Sequence, residues 1–380
     1  MALLRSSILI FRSWLPALGA LVLGASLAAV TIEICLRLVG YGAVSMLAYG
    51  RGHYNHDLPE IGYAGRPNVQ GIQSREGISE LRFNSHGFHD VEHNQIPDRG
   101  AFRLLVVGNS YTMANQVART DDYVSILEGE LKECPALAGR KIETVNLGVD
   151  GYTIHQQYLV LRDYGLSLAP NFVLLQVNSF VVAGDLNPLL NLSPRLVWRS
   201  DGELEVDRSY LSHPEFLRRA SATAALVQHL SDGSRLIQYL LELRRRTGQS
   251  PASPDKPSDT GALERYRSDR DEVVERLADL LRASNIPWAL TIVPTADSTS
   301  YSRELAPMSL EWLSLAQRLG VPSIDVEKEA RMEVQTTGRF IHGFGTSMTT
   351  GHLNRHGHAF FAKALGTRLC EILGARGKSE

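Results

Sequence analysis

Apolar residues follow two unlike patterns along this chain. From Ser13 to Ile32 no charged residue interrupts the run WLPALGALVLGASLAAVTI, which is long enough to cross about 30 Å of hydrocarbon as a helix. Beyond residue 100 the pattern changes to short apolar runs alternating with segments of helical spacing. Leu104, Leu105, Val106 and Val107, stopped by Gly108, read as a strand buried on both faces, because the run is continuous rather than alternating. In DDYVSILEGELKE, Tyr123, Ile126, Leu127 and Leu131 share one helix face. A strand IETVNLG follows, then a helix marked by Ile154, Tyr158 and Leu161, then a strand FVLLQV after Pro170. Strand, helix, strand, helix, strand predicts right-handed crossovers and a parallel sheet.

The alternation lapses after residue 180. LVWRSDGELEV reads as a hairpin turned at Asp201-Gly202, and residues 213 to 246 read as helical, closing on Arg244, Arg245 and Arg246. That basic run suits a solvated helix end, where cations oppose the dipole, or contact with an anionic membrane surface. Residues 247 to 262 have the Pro, Ser, Gly and Asp content of a mobile loop. Alternation resumes with a helix near 263 to 284, the strand WALTIV, a helix near 309 to 319, the strand PSIDV and a last helix starting near Asn354. The expected organisation is a membrane anchor over 1–40, a stalk or covering segment over 41–100, and a five-stranded α/β domain over 101–375. An insertion over 183–262 is placed where lids commonly form.

Flanking charge orients the anchor. Arg5 and Arg12 precede the apolar run and Glu33 follows it, which puts the start of the chain in the cytoplasm and the rest outside. A cleaved signal peptide is the competing reading, with Ser26-Leu27-Ala28 as its cleavage site. Ile34, Cys35, Leu36, Leu38 and Val39 extend the apolar pattern further than a signal peptide needs, which favours a retained anchor.

Composition removes several function classes. The 380 residues carry 39 basic and 41 acidic side chains, net −2, so there is no basic face to expect for nucleic acid. No P-loop, no G-x-G-x-x-G opening a helix and no CxxC pair occurs, so neither a nucleotide cofactor nor structural zinc is expected. His352 and His356 have a spacing that would chelate a metal on a helix, but no third ligand stands at a defined spacing, and no metal is expected.

Four residues gather at the carboxyl ends of the expected strands: Ser110, Gly148, Asn178, and His352 ahead of the last helix. Each alone is an ordinary turn or surface residue. Together they mark the edge at which open α/β sheets bind ligands. The stretches LLVVGNSYT, NLGVDGY, LLQVNS and GHLNRHGH, with EICLRLVG and FNSHGFHD upstream, resemble the SGNH (GDSL-like) hydrolases, in particular membrane-anchored bacterial members. The resemblance implies a flavodoxin-like three-layer α/β sandwich at the periplasmic side of a bacterial inner membrane. It implies Ser110 as nucleophile and His352 as general base. The oxyanion would be held by the N–H groups of Ser110 and Gly148 and the Asn178 amide. The implied activity is removal of acyl groups from an envelope or secreted glycan or lipid. O-acyl transfer and a non-catalytic subunit binding a glycan or membrane-protein partner are the alternatives.

This chain departs from the family's pattern at three points. Asn109 stands where Asp precedes the serine, and Gln176-Val177-Asn178-Ser179 replaces Gly-x-Asn-Asp. Thr349 and Thr350 occupy the place of the acid before the histidine, with no carboxylate between Glu333 and His352. A Ser-His dyad is therefore expected, its ring oriented by the Thr350 hydroxyl or a main-chain carbonyl, with Asp325 or Asp185 as distant substitutes. In a flavodoxin-like order the first and last helices are neighbours, which predicts a Cys134–Cys370 disulfide suited to an oxidising compartment.

Overall fold

A computed structural model describes residues 2–39, 41, 59–73, 76–181, 192–199, 204–219, 221, 223, 226, 229–230, 233–247, 260–296, 308–345 and 347–376. Asp185, one of the substitute acids, lies outside these residues, as do residues 248–259 of the expected mobile loop. The chain divides into two compact units, Met1–Ala43 with Ala222–Ala252, and Val44–Ser221 with Ser253–Glu380.

In the first unit, α1 spans Ala2–Leu38. Its Pro16–Leu38 portion is long and apolar enough to cross a membrane, and none of that window is buried. This is compatible with an anchor or with a signal sequence.

The second unit opens with a hairpin of β1 (Gln70–Gln73) and β2 (Ser79–Arg82). Then come β3 (Phe102–Val107), the single turn α2 (Ser110–Met113), α3 (Tyr123–Lys132), β4 (Ile142–Asn146), α4 (Ile154–Asp163) and β5 (Phe172–Asn178). β6 (Arg195–Trp198) and β7 (Leu204–Asp207) pair antiparallel as the strands of the expected hairpin, whose Asp201-Gly202 turn lies outside the described residues, and the short α5 (Pro214–Arg219) follows. The helix α6 (Arg235–Thr247) belongs to the first unit. The second unit resumes with α7 (Thr260–Ala283), β8 (Trp288–Val293), α8 (Ser309–Leu319), β9 (Ser323–Asp325) and α9 (Glu327–Thr337). A hairpin of β10 (His342–Phe344) and β11 (Ser347–Leu353) leads into α10 (Arg355–Arg376).

The sheet order is β4-β3-β5-β8-β9, every pairing parallel. That is the flavodoxin-like order, in which the chain leaves β3 toward one edge and returns to build the other. All residues of β3, β5 and β8 are buried, because helices cover both faces. Leu104, Val106, Phe172, Leu174 and Ile324 pack on one side against Tyr123, Leu127 and Leu131 of α3 and Phe361, Leu365 and Leu369 of α10. Leu105, Val107, Val173, Leu175 and Leu290 pack on the other side against α4, α7 and α8 through residues such as Leu159, Leu277 and Trp312. Cys134, which follows α3, is bonded to Cys370 of α10, with Cα atoms 5.6 Å apart, the pairing expected from helix order. Closing a loop of 236 residues in sequence separation is worth about 2–4 kcal/mol where the compartment keeps it oxidised.

Candidate active site

Ser110 begins α2 directly after the buried strand β3, and the tight geometry of that turn is set by glycine and amide groups. A Cβ on Gly108 would stand 2.0 Å from Thr112 Oγ1 and 2.5 Å from Gln176 Oε1. Asn109 replaces the expected Asp without loss of function as a cap, since its Oδ1 accepts the Tyr111 N–H at 3.2 Å. Ser110 is thus held by backbone packing, half-buried at the sheet edge.

His352 arrives from the opposite end of the chain on β11. Its Nε2 lies 2.8 Å from Ser110 Oγ and its Nδ1 2.7 Å from Glu76 Oε2. The carboxylate only accepts, so Nδ1 carries the proton and Nε2 is left as acceptor for the serine hydroxyl. This is the tautomer a general base needs. Glu76 Oε1 also accepts the backbone N–H of His352 at 2.6 Å, so one carboxylate fixes both ring and main chain of the same residue.

The His352 ring is therefore oriented by Glu76 and not by Thr350, so that Ser110, His352 and Glu76 form one hydrogen-bonded chain. The Thr350 hydroxyl donates to Ser347 O at 2.8 Å, and Asp325 Oδ1 accepts the Glu327 N–H at 2.9 Å where α9 begins. The acid comes instead from the turn between β1 and β2, 276 positions before the histidine. Two glycines shape its seat. A Cβ on Gly351 would come within 1.9 Å of Glu76 Oε1, and Gly77, at φ +79°, would collide with Gln116 O at 2.6 Å. Tyr111 lines the same seat, its hydroxyl donating to Gly351 O at 3.2 Å and its ring centred 4.8 Å from that of His352.

The expected oxyanion donors have different surroundings. Gln176 Oε1 accepts the Asn109 N–H at 3.2 Å and the Thr112 hydroxyl at 2.8 Å. This turns Gln176 Nε2 toward Asn178 Oδ1, 3.1 Å away. The carboxamide of Asn178 is thereby oriented through its Oδ1, and its Nδ2 has no hydrogen-bond partner among the described residues. The departure at Gln176 thus has a structural role: it links the serine turn to the asparagine. No partner is found for the Ser110 N–H among the described residues either. Gly148 differs, since its N–H donates to Asn146 Oδ1 at 2.9 Å. Its lack of a side chain is accounted for by packing, a Cβ there falling 2.3 Å from Met113 N.

Behind the triad lies a set of buried ionisable groups. His89 and His358 are 0% and 1% exposed. Burial holds the His89 imidazole below its ordinary value. Burial first, then the neighbouring His352, His342 and His89, pushes His358 down to about 3. Asp122, whose Oδ1 caps α3 by accepting the Ser125 N–H, is pushed up to about 8 by burial. His352 and His356 do not share a helix face: the first is on β11, the second on α10 with Nε2 3.2 Å from Glu333 Oε1. No cluster of three His, Cys, Asp or Glu able to hold a metal occurs among the described residues.

No protein-family model matches the chain, and no curated protein matches it. Solved structures do. The chain is similar to an acetyl xylan esterase at 16% identity and TM-score 0.39, covering 70% of this chain and 98% of that one. It is similar to a protein of Desulfitobacterium hafniense described as lipolytic and of the G-D-S-L family, at 10% identity and TM-score 0.37, covering 70% and 98%. It is also similar to a variant of an acetylxylan esterase of Geobacillus stearothermophilus, at 12% identity and TM-score 0.38, covering 72% and 96%.

Proposed function

We propose that the chain is an exported, membrane-tethered serine ester hydrolase of the SGNH type, acting through Ser110, His352 and Glu76. The observation that carries this reading is the unbroken chain of contacts from the Glu76 carboxylate through both ring nitrogens of His352 to the Ser110 hydroxyl. A serine hydroxyl is a weak nucleophile until a base takes its proton, and a base in the wrong tautomer cannot do so.

Ser110 Oγ attacks the acyl carbon while its proton passes to His352 Nε2. The resulting imidazolium keeps its Nδ1–H on Glu76, which offsets the new positive charge. Negative charge on the former carbonyl oxygen is met by the Ser110 N–H and Asn178 Nδ2, donors placed before the reaction begins. Collapse expels the alkoxide, which takes the proton from Nε2 and leaves the acyl group on Ser110. Water, deprotonated by the same nitrogen, then releases the carboxylic acid and restores the serine.

The reading of a non-catalytic subunit drew its force from the missing acid, and Glu76 removes that motive. The apolar amino-terminal helix and the Cys134–Cys370 bond support a site outside the cytoplasm, where acylated glycans and lipids of the envelope are the ester-bearing molecules. The test is release of acid from p-nitrophenyl acetate and from acetylated oligosaccharides. Ser110→Ala is expected to lower kcat by on the order of 10⁶-fold; turnover unchanged in that variant rules the proposal out. Mass analysis with a free oligosaccharide present separates hydrolysis from transfer, since only transfer yields an acylated acceptor.

A further inference from the structure

The first unit contains a second amphipathic element besides the anchor. Leu236, Tyr239, Leu240 and Leu243 fall at i, i+3, i+4 and i+7 on α6, one face of the helix. Tyr239, Leu240 and Leu243 are 42%, 52% and 44% exposed, and Leu226 and Leu230 just ahead are exposed likewise. The helix closes on the sequence Arg244-Arg245-Arg246-Thr247.

The start of α6 is fastened to the outer end of α1. Glu33 Oε2 accepts the Ser234 hydroxyl at 3.0 Å and the Leu236 N–H at 2.7 Å, and Oε1 accepts the Arg235 N–H at 3.0 Å. Arg37 donates from Nε to Glu33 Oε1 at 2.7 Å and from Nη2 to Gly233 O at 2.6 Å. Tyr41 and Tyr239 meet edge to face with centroids 5.7 Å apart. A carboxylate from one helix thus satisfies the free N–H groups at the start of another. The uncharged stretch Ser13 to Ile32 already fills about 30 Å of hydrocarbon, so Glu33 and Arg37 mark the headgroup layer, and α6 begins there.

We propose that α6 is an interfacial helix whose Tyr239-Leu240-Leu243 face docks on the outer leaflet of the anchoring membrane. This rests on retention of the anchor. Interfacial helices combine an apolar face with a basic polar end, as the α6 sequence does. Continuity with the α1 span decides among occupants, because the stripe begins where the lipid boundary lies.

The test uses the full chain in nanodiscs of phosphatidylethanolamine with phosphatidylglycerol. Leu240→Cys in a Cys35→Ser background carries a nitroxide, and Ile96→Cys, exposed in the second unit, serves as the aqueous reference. Collision with a nickel chelate is expected to be several-fold lower at 240 than at 96, and collision with oxygen several-fold higher, the difference shrinking when phosphatidylcholine replaces the anionic lipid. A nickel-accessible label at 240 in a full-length chain overturns the docking alone. A chain found by mass to lack its first 28 residues overturns the anchor and the docking with it. A label shielded from both reagents, or broadened by a label on another molecule, shows protein in the place of lipid and overturns the proposal too.

Discussion

Two histidines of the second unit are each held by a carboxylate, and they differ in what the far nitrogen meets. His352 gives Nδ1–H to Glu76 and presents Nε2 to the Ser110 hydroxyl. His155 gives Nε2–H to Asp269 at 2.9 Å, and its Nδ1 accepts the Leu196 N–H at 3.1 Å. Burial pushes the Asp269 carboxyl up, but the His155 hydrogen bond and the Arg195 guanidinium together hold it below the usual range. Both pairs fix a tautomer. Only one leaves a basic nitrogen facing a group with a proton to lose; the other spends it on a backbone amide and fastens β6 to α4 and α7. A carboxylate-imidazole pair is therefore no signature of catalysis until its second nitrogen is accounted for.

Substitutions that neutralise each acid should separate the two pairs sharply. Glu76→Gln is expected to lower kcat/KM by on the order of 10⁴-fold while leaving the fold intact, and Glu76→Asp should recover part of that loss; steady-state ester hydrolysis reads both. Asn178→Ala removes one oxyanion donor and is expected to cost about 100-fold or more in kcat with KM little changed. Asp269→Asn should leave kcat/KM near that of the native chain and lower unfolding free energy by about 1–3 kcal/mol, measured by urea denaturation. A large catalytic loss in Asp269→Asn would erase the distinction between the pairs.

The buried histidines behind the site act on stability rather than on turnover, within a defined pH window. His358 is held near 3 in the folded chain, whereas the unfolded chain takes up that proton near 6.5. The unfolded state binds more protons as pH falls below about 6.5, so stability drops across the interval down to about 3. His358→Gln should make this acid limb shallower by about 1.4 kcal/mol per pH unit, read from unfolding free energies across the range. Asp122 acts with the opposite sign: its carboxyl is raised to about 8, so its contribution is full below about 4 and is lost as pH rises through 8.

What the sequence disclosed and what it hid follow from contact range. The strands β3, β5 and β8 were legible because burial on both faces leaves continuous apolar runs, the edge strands β4 and β9 from their place in the alternation with helices, and the neighbourhood of α3 and α10, hence the disulfide, followed from strand order. Ser110 and His352 were legible because each sits in a local motif. Glu76 was not, since its partner is 276 residues away and the acid position next to His352 holds threonines. A trace did exist: Leu81 and Phe83 alternate with Glu80 and Arg82, a short period of two behind the turn pair Glu76-Gly77 that suits a hairpin in the covering segment. The hairpin β10–β11 escaped for a similar reason, its glycines at 343, 345 and 351 resembling a loop before the last helix.

The most direct test of the Ser110–His352–Glu76 relay is the rate at which a fluorophosphonate labels Ser110, followed by intact mass. Four proteins suffice: the native chain, Ser110→Ala, His352→Ala and Glu76→Gln. The relay requires labelling in the native chain, none in the first two variants, and a rate in Glu76→Gln lower by on the order of 10⁴-fold. Native-like labelling in Glu76→Gln would contradict it, leaving His352 to act without the carboxylate that holds it.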